Sequence, residues 1–281
     1  MVVVKKIKKV REILTRVRNE KKSIGFVPTM GYFHQGHLRL MELARKENDY
    51  VVVSIFVNPL QFGPKEDFKE YPRDLKRDIK MAEEVGVDLI FAPSEKEMYE
   101  EDFSTYIEVT GNLTQVMCGK SRPGHFKGVT TVVGKLFNIV QPDRAYFGKK
   151  DYQQLIIVKK MVKDLNFPLK IVAVNTVREK DKLAMSSRNT YLNEKSRKKA
   201  LVLYQSLKLA EKEIKKGVKD PKIIKEKMKN LIEEKGEIDY ISIADPQTLQ
   251  EVEKIEKKVL VALAVKIDGV RLIDNRIIGR N

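Results

Sequence analysis

The 281 residues contain one cysteine, Cys118, and only three histidines. A single thiol excludes an internal disulfide framework and points to a reducing compartment. No apolar run approaches the roughly 18 residues that a membrane span needs. The start, Met1-Val2-Val3-Val4-Lys5-Lys6, is too short an apolar stretch for a signal peptide. We therefore expect a cytoplasmic protein. Acidic residues are in deficit: 39 Asp and Glu face 55 Lys and Arg, a net charge of +16. That balance raises nucleic acid as a partner. However, Lys and Glu alternate along 208–216 and 222–235 in the manner of solvated helices, not of a groove-tracking stripe. The expectation is no nucleic-acid partner and no membrane partner. An anionic small molecule would be drawn in by the same field.

The chain is long enough for two domains with a substantial core. Val10, Ile13, Leu14 and Val17 predict a helix over 8–18 and Ile24–Val27 a strand. The nearly unbroken run Tyr50–Val57 predicts a strand buried on both faces of a parallel sheet. Further helices are predicted at 34–46, 73–85, 129–140 and 152–165, with strands at 87–91, 105–109, 144–148 and 169–174. This alternation predicts an α/β fold: a Rossmann-like parallel sheet with helices on both faces. After Thr176 a polar segment leads to two charged helices and to strands at 238–244, 259–265 and 270–273. Residues 1–176 are thus expected to form the Rossmann-like domain and 177–281 a smaller α+β C-terminal domain.

Two of the histidines sit together in Phe26-Val27-Pro28-Thr29-Met30-Gly31-Tyr32-Phe33-His34-Gln35-Gly36-His37. A strand passes through a glycine turn into a helix, and positions three apart on its first turn share a face. Unpaired N–H groups at the helix start add partial positive charge, and Gly36 lets a ligand approach the backbone. The design suits phosphate. Two other matches fail. Gly128 and Gly134-Lys135 imitate a P-loop, but five residues separate the glycines where four are needed, and Leu136 replaces Ser or Thr. Zinc at His34 and His37 would need more ligands, and His125 and Cys118 offer no paired spacing. No resident metal site is expected.

His34-Gln35-Gly36-His37 resembles the His-x-Gly-His signature of the nucleotidyltransferase superfamily, shared with class I aminoacyl-tRNA synthetases. Met185-Ser186-Ser187-Arg188 is similar to the second, mobile signature of those proteins, which closes on the phosphates of ATP. Four stretches narrow the resemblance to the pantoate–β-alanine ligase (pantothenate synthetase) family, over nearly the whole chain. They are Pro28-Thr29-Met30-Gly31, Asn58-Pro59-Leu60-Gln61-Phe62, Ser121-Arg122-Pro123-Gly124-His125-Phe126 and Phe147-Gly148-Lys149-Lys150-Asp151-Tyr152-Gln153-Gln154. One departure is visible: Tyr32-Phe33 stands where relatives usually carry a smaller residue and Leu. Both side chains are expected to point into the fold.

The resemblance implies ATP-dependent condensation of pantoate with β-alanine to pantothenate through a pantoyl-adenylate, releasing AMP and pyrophosphate, on the route to coenzyme A. It implies ATP and Mg²⁺ as reactant and cofactor, and a homodimer. It makes His37, His34, Lys150 and Arg188 catalytic. Met30, Gly31, Gly36, Gly148, Lys149, Asp151, Val177, Met185, Ser186 and Ser187 would join them around ATP. Gln61, Gln154, Asn58 and Arg122 would take pantoate and β-alanine. Neutral amides suit a substrate bearing hydroxyls and a carboxylate, since they donate and accept without pairing the carboxylate away. Two rivals stay open: another adenylyltransferase of the same superfamily with a phosphorylated acceptor, and an RNA-binding module using the basic helices.

Overall fold

Branched apolar runs become strands, and apolar stripes at helical spacing become helices, in the computed structural model, which describes residues 1–64 and 66–279. The chain runs β1 (Val2–Val4), α1 (Ile7–Asn19), β2 (Ile24–Thr29), α2 (Gln35–Glu47), β3 (Tyr50–Ile55), α3 (Leu75–Glu84), β4 (Leu89–Phe91) and α4 (Glu95–Met98). It continues through α5 (Met117–Ser121), α6 (His125–Val140), β5 (Arg144–Gly148), α7 (Tyr152–Asp164) and β6 (Lys170–Val174). Then come α8 (Glu194–Ala200), α9 (Val202–Lys215), α10 (Pro221–Glu233), β7 (Glu237–Ala244), β8 (Val259–Ile267) and β9 (Val270–Ile278). Two compact units result. The first comprises Met1–Val109, Gly124–Lys149 and Ile157–Asn175; the second comprises Thr110–Pro123, Lys150–Ile156 and the chain from Thr176 onward.

The first unit is built on a six-stranded sheet in the order β1-β4-β3-β2-β5-β6, with every pairing parallel. Strand alternation sends Val27, Val51, Val53 and Ile90 to one face, where Leu38, Met41 and Ala44 of α2 and Ala82 of α3 cover them. On the other face the ring of Phe26 meets Phe137 of α6 edge-on, with centroids 6.4 Å apart. The Rossmann-like sheet with helices on both faces is therefore present. The strand order reverses between β2 and β5, so their carboxyl ends flank the crevice where such sheets gather ligands.

The strand expected at 105–109 does not form. Its backbone is satisfied by side chains instead: the N–H of Ile107 donates to Thr131 Oγ1 at 3.0 Å, and its carbonyl accepts from Thr130 Oγ1 at 2.6 Å. Both threonines belong to α6, which begins at His125, four residues ahead of the expected start.

In the second unit, β7, β8 and β9 pair antiparallel. Alternate residues Val259, Val261, Leu263 and Val265 pack with Leu203 and Leu207 of α9 and with Ile224 and Met228 of α10. Three charged helices stand where two were expected, because the helical run is interrupted at Leu201. A single cut near 176 does not describe the division either. Gln153 donates to the carbonyls of Leu113 and Val116 at 2.8 Å each, and accepts from the Cys118 N–H at 3.0 Å. Met117 joins Leu249 and Leu260 in one apolar cluster. These contacts tie segments 110–123 and 150–156 to the second unit.

Candidate active site

In the first unit, β2 ends at Thr29, whose hydroxyl donates to the Ser54 carbonyl at 2.6 Å and accepts from the Gly31 N–H at 3.1 Å. The chain then turns with positive φ at two successive residues, +84° at Gly31 and +51° at Tyr32. A side chain at Gly31 would also collide, since a Cβ would lie 2.9 Å from both Asp78 Oδ2 and Ile55 Cγ2. The N–H groups of Tyr32 and Phe33 both donate to the Asp78 carboxylate at 2.7 Å. Asp78, on α3, is only 1% exposed. Burial, the largest influence, raises its carboxyl above the ordinary range, against the pull of these two N–H donors and of Arg77. Phe33 is buried in the core as expected, but Tyr32 is half-buried and lies under the Arg77 guanidinium, 5.0 Å from ring centroid to Cζ.

His34 caps α2. Its Nδ1 accepts from the Gly36 N–H at 3.1 Å, and His37 Nδ1 accepts from the His34 N–H at 3.3 Å. Each neutral ring that accepts at Nδ1 must carry its proton on Nε2. The local cap thus converts both imidazoles into Nε2–H donors. Their rings lie close, tilted by 32° with centroids 4.1 Å apart, at a helix start whose partial charge is positive.

Gln61 occupies a short turn after β3 and is nearly buried. Its Nε2 donates to Met30 Sδ at 3.3 Å, which joins the expected acid-binding amide to the expected ATP signature. Behind it, His125 Nδ1 donates to the Gln61 carbonyl at 2.8 Å. The turn also lies directly on α6. A Cβ at Gly128 would sit 2.1 Å from the Leu60 carbonyl oxygen, a contact that only glycine permits. Asn58, expected to touch substrate, is 1% exposed and fully engaged. It donates to Gln61 Oε1 and the Gly128 carbonyl, and accepts from the Tyr99 hydroxyl and the Leu60 N–H. Those four bonds fill the capacity of a primary amide.

The remaining expected site residues fall in the second unit, apart from Gly148 and Lys149 at the end of β5 in the first. Lys149 Nζ donates to Asn175 Oδ1 at 2.8 Å. Lys150 Nζ lies 3.7 Å from Asp151 Oδ2, and the Lys150 carbonyl accepts from Asn275 Nδ2. Gln154 is half-buried on the first turn of α7, and Arg122 is half-buried just after α5. The second signature rests on a small ladder: the Met185 N–H donates to the Val177 carbonyl at 3.1 Å, and Arg178 bridges antiparallel to Ala184. Ser186 Oγ accepts from the Arg188 N–H at 3.3 Å, and Ser187 is buried. Arg178 makes a forked pair with Asp274 of β9, at 2.7 and 2.9 Å. Among the described residues, no group of three or more His, Cys, Asp or Glu side chains could hold a metal ion.

Residues 2–277 match the family described as pantoate-beta-alanine ligase. The chain belongs to the pantoate–β-alanine ligase family. It is 56% identical over 280 residues to a pantothenate synthetase of Caldicellulosiruptor bescii, covering 99% of both chains. A pantothenate synthetase of Thermotoga petrophila is 55% identical, covering 99% of this chain and all of that one. The crystal structure of the Thermus thermophilus enzyme superposes with a TM-score of 0.93 at 48% identity, covering 98% of this chain and 99% of that one. A ligase of the family from Francisella tularensis, complexed with beta-gamma ATP and beta-alanine, superposes at 0.83 with 36% identity, covering 99% and 97%. Within this family framework, Asp78, Arg77, Tyr99 and His125 are the residues that sequence reading passed over as supports. Asp78 and Tyr99 carry no sequence signal, because each meets its partner 41 to 46 residues away.

Proposed function

We propose that this pantoate–β-alanine ligase condenses pantoate with β-alanine through a pantoyl-adenylate. A carboxylate resists amide formation because its carbon is electron-rich and its leaving group would be oxide. In the first step a pantoate carboxylate oxygen bonds to the α-phosphorus of ATP. The bond from that phosphorus to the bridging oxygen breaks, and pyrophosphate departs. In the second, the amine of β-alanine bonds to the acyl carbon, the acyl–oxygen bond breaks, AMP leaves and the nitrogen loses a proton.

The observation that carries this reading is the 3.3 Å contact of Gln61 with Met30, four residues ahead of the first of two imidazoles held as Nε2–H donors. His34 and His37 are assigned to the charge that develops on the phosphate oxygens, where one placed donor is typically worth about 10²–10³ in rate. Gln61 and Gln154 are assigned to pantoate, and Arg122 to the β-alanine carboxylate. In the second unit, Lys150, Ser186, Ser187 and Arg188 are assigned to the phosphates, Arg for its bidentate reach, and Asp151 to a ribose hydroxyl. Mg²⁺ is expected as a companion of the nucleotide rather than a resident ion. The family resemblance also supports a homodimer, which sedimentation would check, and a cytoplasmic location agrees with the lone Cys118.

AMP release from ATP and Mg²⁺ tests the proposal, with pantoate and β-alanine supplied together and then each omitted. AMP at turnover rates only with both is the expected result. Silence with both present, in folded protein, would overturn it and turn attention to phosphorylated acceptors and RNA.

A further inference from the structure

A side-chain amide cannot tell its substrate which end is donor and which acceptor unless something fixes its orientation. In the first unit that orientation is set by a chain of bonds behind Gln61. The Leu60 N–H can only donate, and it reaches Asn58 Oδ1 at 3.3 Å. The Gly128 carbonyl can only accept, and it takes Asn58 Nδ2 at 3.1 Å. These two backbone groups settle the Asn58 amide. The Tyr99 hydroxyl, 2.7 Å from Asn58 Oδ1, must then be a donor, and Asn58 Nδ2 must face the carbonyl end of Gln61, at 3.1 Å from Oε1. That leaves the Nε2–H₂ group of Gln61 on the side of Met30.

We propose that Tyr99 and Asn58 are positioning residues that lock Gln61 with Nε2 toward the acid substrate, so that the site selects an oxygen acceptor there and not a donor. The inference rests on the reading that Gln61 takes the acid. Tyr99 is well placed for a fixed role. Its ring packs on Phe56 and Phe103, with centroids 6.0 and 4.8 Å away. Burial, with Glu95 and Tyr106 nearby, raises its phenol well above the ordinary value, so the hydroxyl keeps the proton it donates. The saturated amide of Asn58 has nothing left for a ligand. Its part in recognition is to orient its neighbour.

A double-mutant cycle tests the relay. Tyr99→Phe keeps the ring packing and removes only the hydroxyl. It is expected to raise the KM for pantoate roughly three- to tenfold, the worth of one neutral hydrogen bond, while the KM for ATP stays put. In a Gln61→Ala background the same change should add nothing further. Asn58→Asp sets an acceptor against Gln61 Oε1 and should reverse the amide, raising the pantoate KM beyond tenfold with the ATP KM again unmoved. An effect of Tyr99→Phe that is equal with and without Gln61, or no effect in either positioning variant when folded, would overturn the relay while leaving Gln61 as the acid ligand. An unchanged pantoate KM in Gln61→Ala alone would overturn both the relay and the reading beneath it.

Discussion

The Asp78 carboxylate receives the Phe33 N–H at 2.7 Å across 45 residues of sequence, and with its second oxygen the Tyr32 N–H at the same distance. The bonds hold the turn that delivers His34 to the start of α2. Positive φ at Tyr32 costs an L-residue about 1–2 kcal/mol. Hydrogen bonds to a charged acceptor are worth roughly 1.5–3 kcal/mol each. The two bonds therefore outweigh the strain, and Asp78 stabilises the turn.

Asp78→Asn keeps one acceptor oxygen and sets an NH₂ against the other N–H. Removing a buried charge offsets part of that loss, so stability should fall by no more than about 1–2 kcal/mol. The imidazoles should drift, and adenylate formation should drop roughly ten- to hundredfold. Stopped-flow or quenched pyrophosphate release checks the rate.

The same variant reads out a pH effect. Burial raises the Asp78 carboxyl in the folded chain above its value in the unfolded one, near 3.9. The native state then binds this proton more tightly, and the contribution of the group to stability is lost as pH rises through the raised pKa. The unfolding free energy of the wild type minus that of Asp78→Asn should decline as pH is raised from about 4. Urea titrations across pH would show it, and a rising difference would refute it.

His37→Ala should lower adenylate formation at least about a hundredfold, as expected for one oxyanion-type donor. It also removes the acceptor of the His34 N–H, a capping loss of about 0.5–2 kcal/mol that leaves the fold intact. Circular dichroism alongside AMP release separates the two effects.

Gly128→Ala forces a methyl against the Leu60 carbonyl, and backbone cannot give way cheaply. A destabilisation of about 1–3 kcal/mol is expected, with a raised KM for pantoate as the turn bearing Gln61 is pushed aside. Gly63→Ala is the control, since its Cβ would meet only Glu66 at 3.8 Å. It should change neither quantity measurably.

Asp274 is 2% exposed and Arg178 forks onto it. Arg178→Ala strands a buried carboxylate and should cost about 3–5 kcal/mol in chemical denaturation. The double change Arg178→Met with Asp274→Leu should recover much of that loss. The ladder that carries Met185–Arg188 starts beside Arg178, so the KM for ATP is expected to rise in the single variant.

Local patterns told the truth where the physics was local. The β-branched run Tyr50–Val57 reads as a doubly buried strand, and the strand forms over Tyr50–Ile55, because a parallel strand must be apolar on both faces. The strand–glycine–helix path through His34 and His37 was legible for the same reason: the cap and the i, i+3 face belong to a single turn. Thr105–Val109 misled, because alternation alone does not supply a neighbouring strand, and the threonines of α6 took its backbone bonds.

The sequence by itself determined the alternation of parallel strands and helices from β2 to β6, save the strand expected at 105–109, together with the phosphate-binding turn, both signatures and hence the family. Only the tertiary structure decided that Asp78 holds the turn, that Asn58 is spent on Gln61 and that segments 110–123 and 150–156 group with the second unit. Those facts are contacts between residues tens of positions apart. No periodicity encodes them, because what brings their partners together is the packing of helices on a sheet and not the path of the chain.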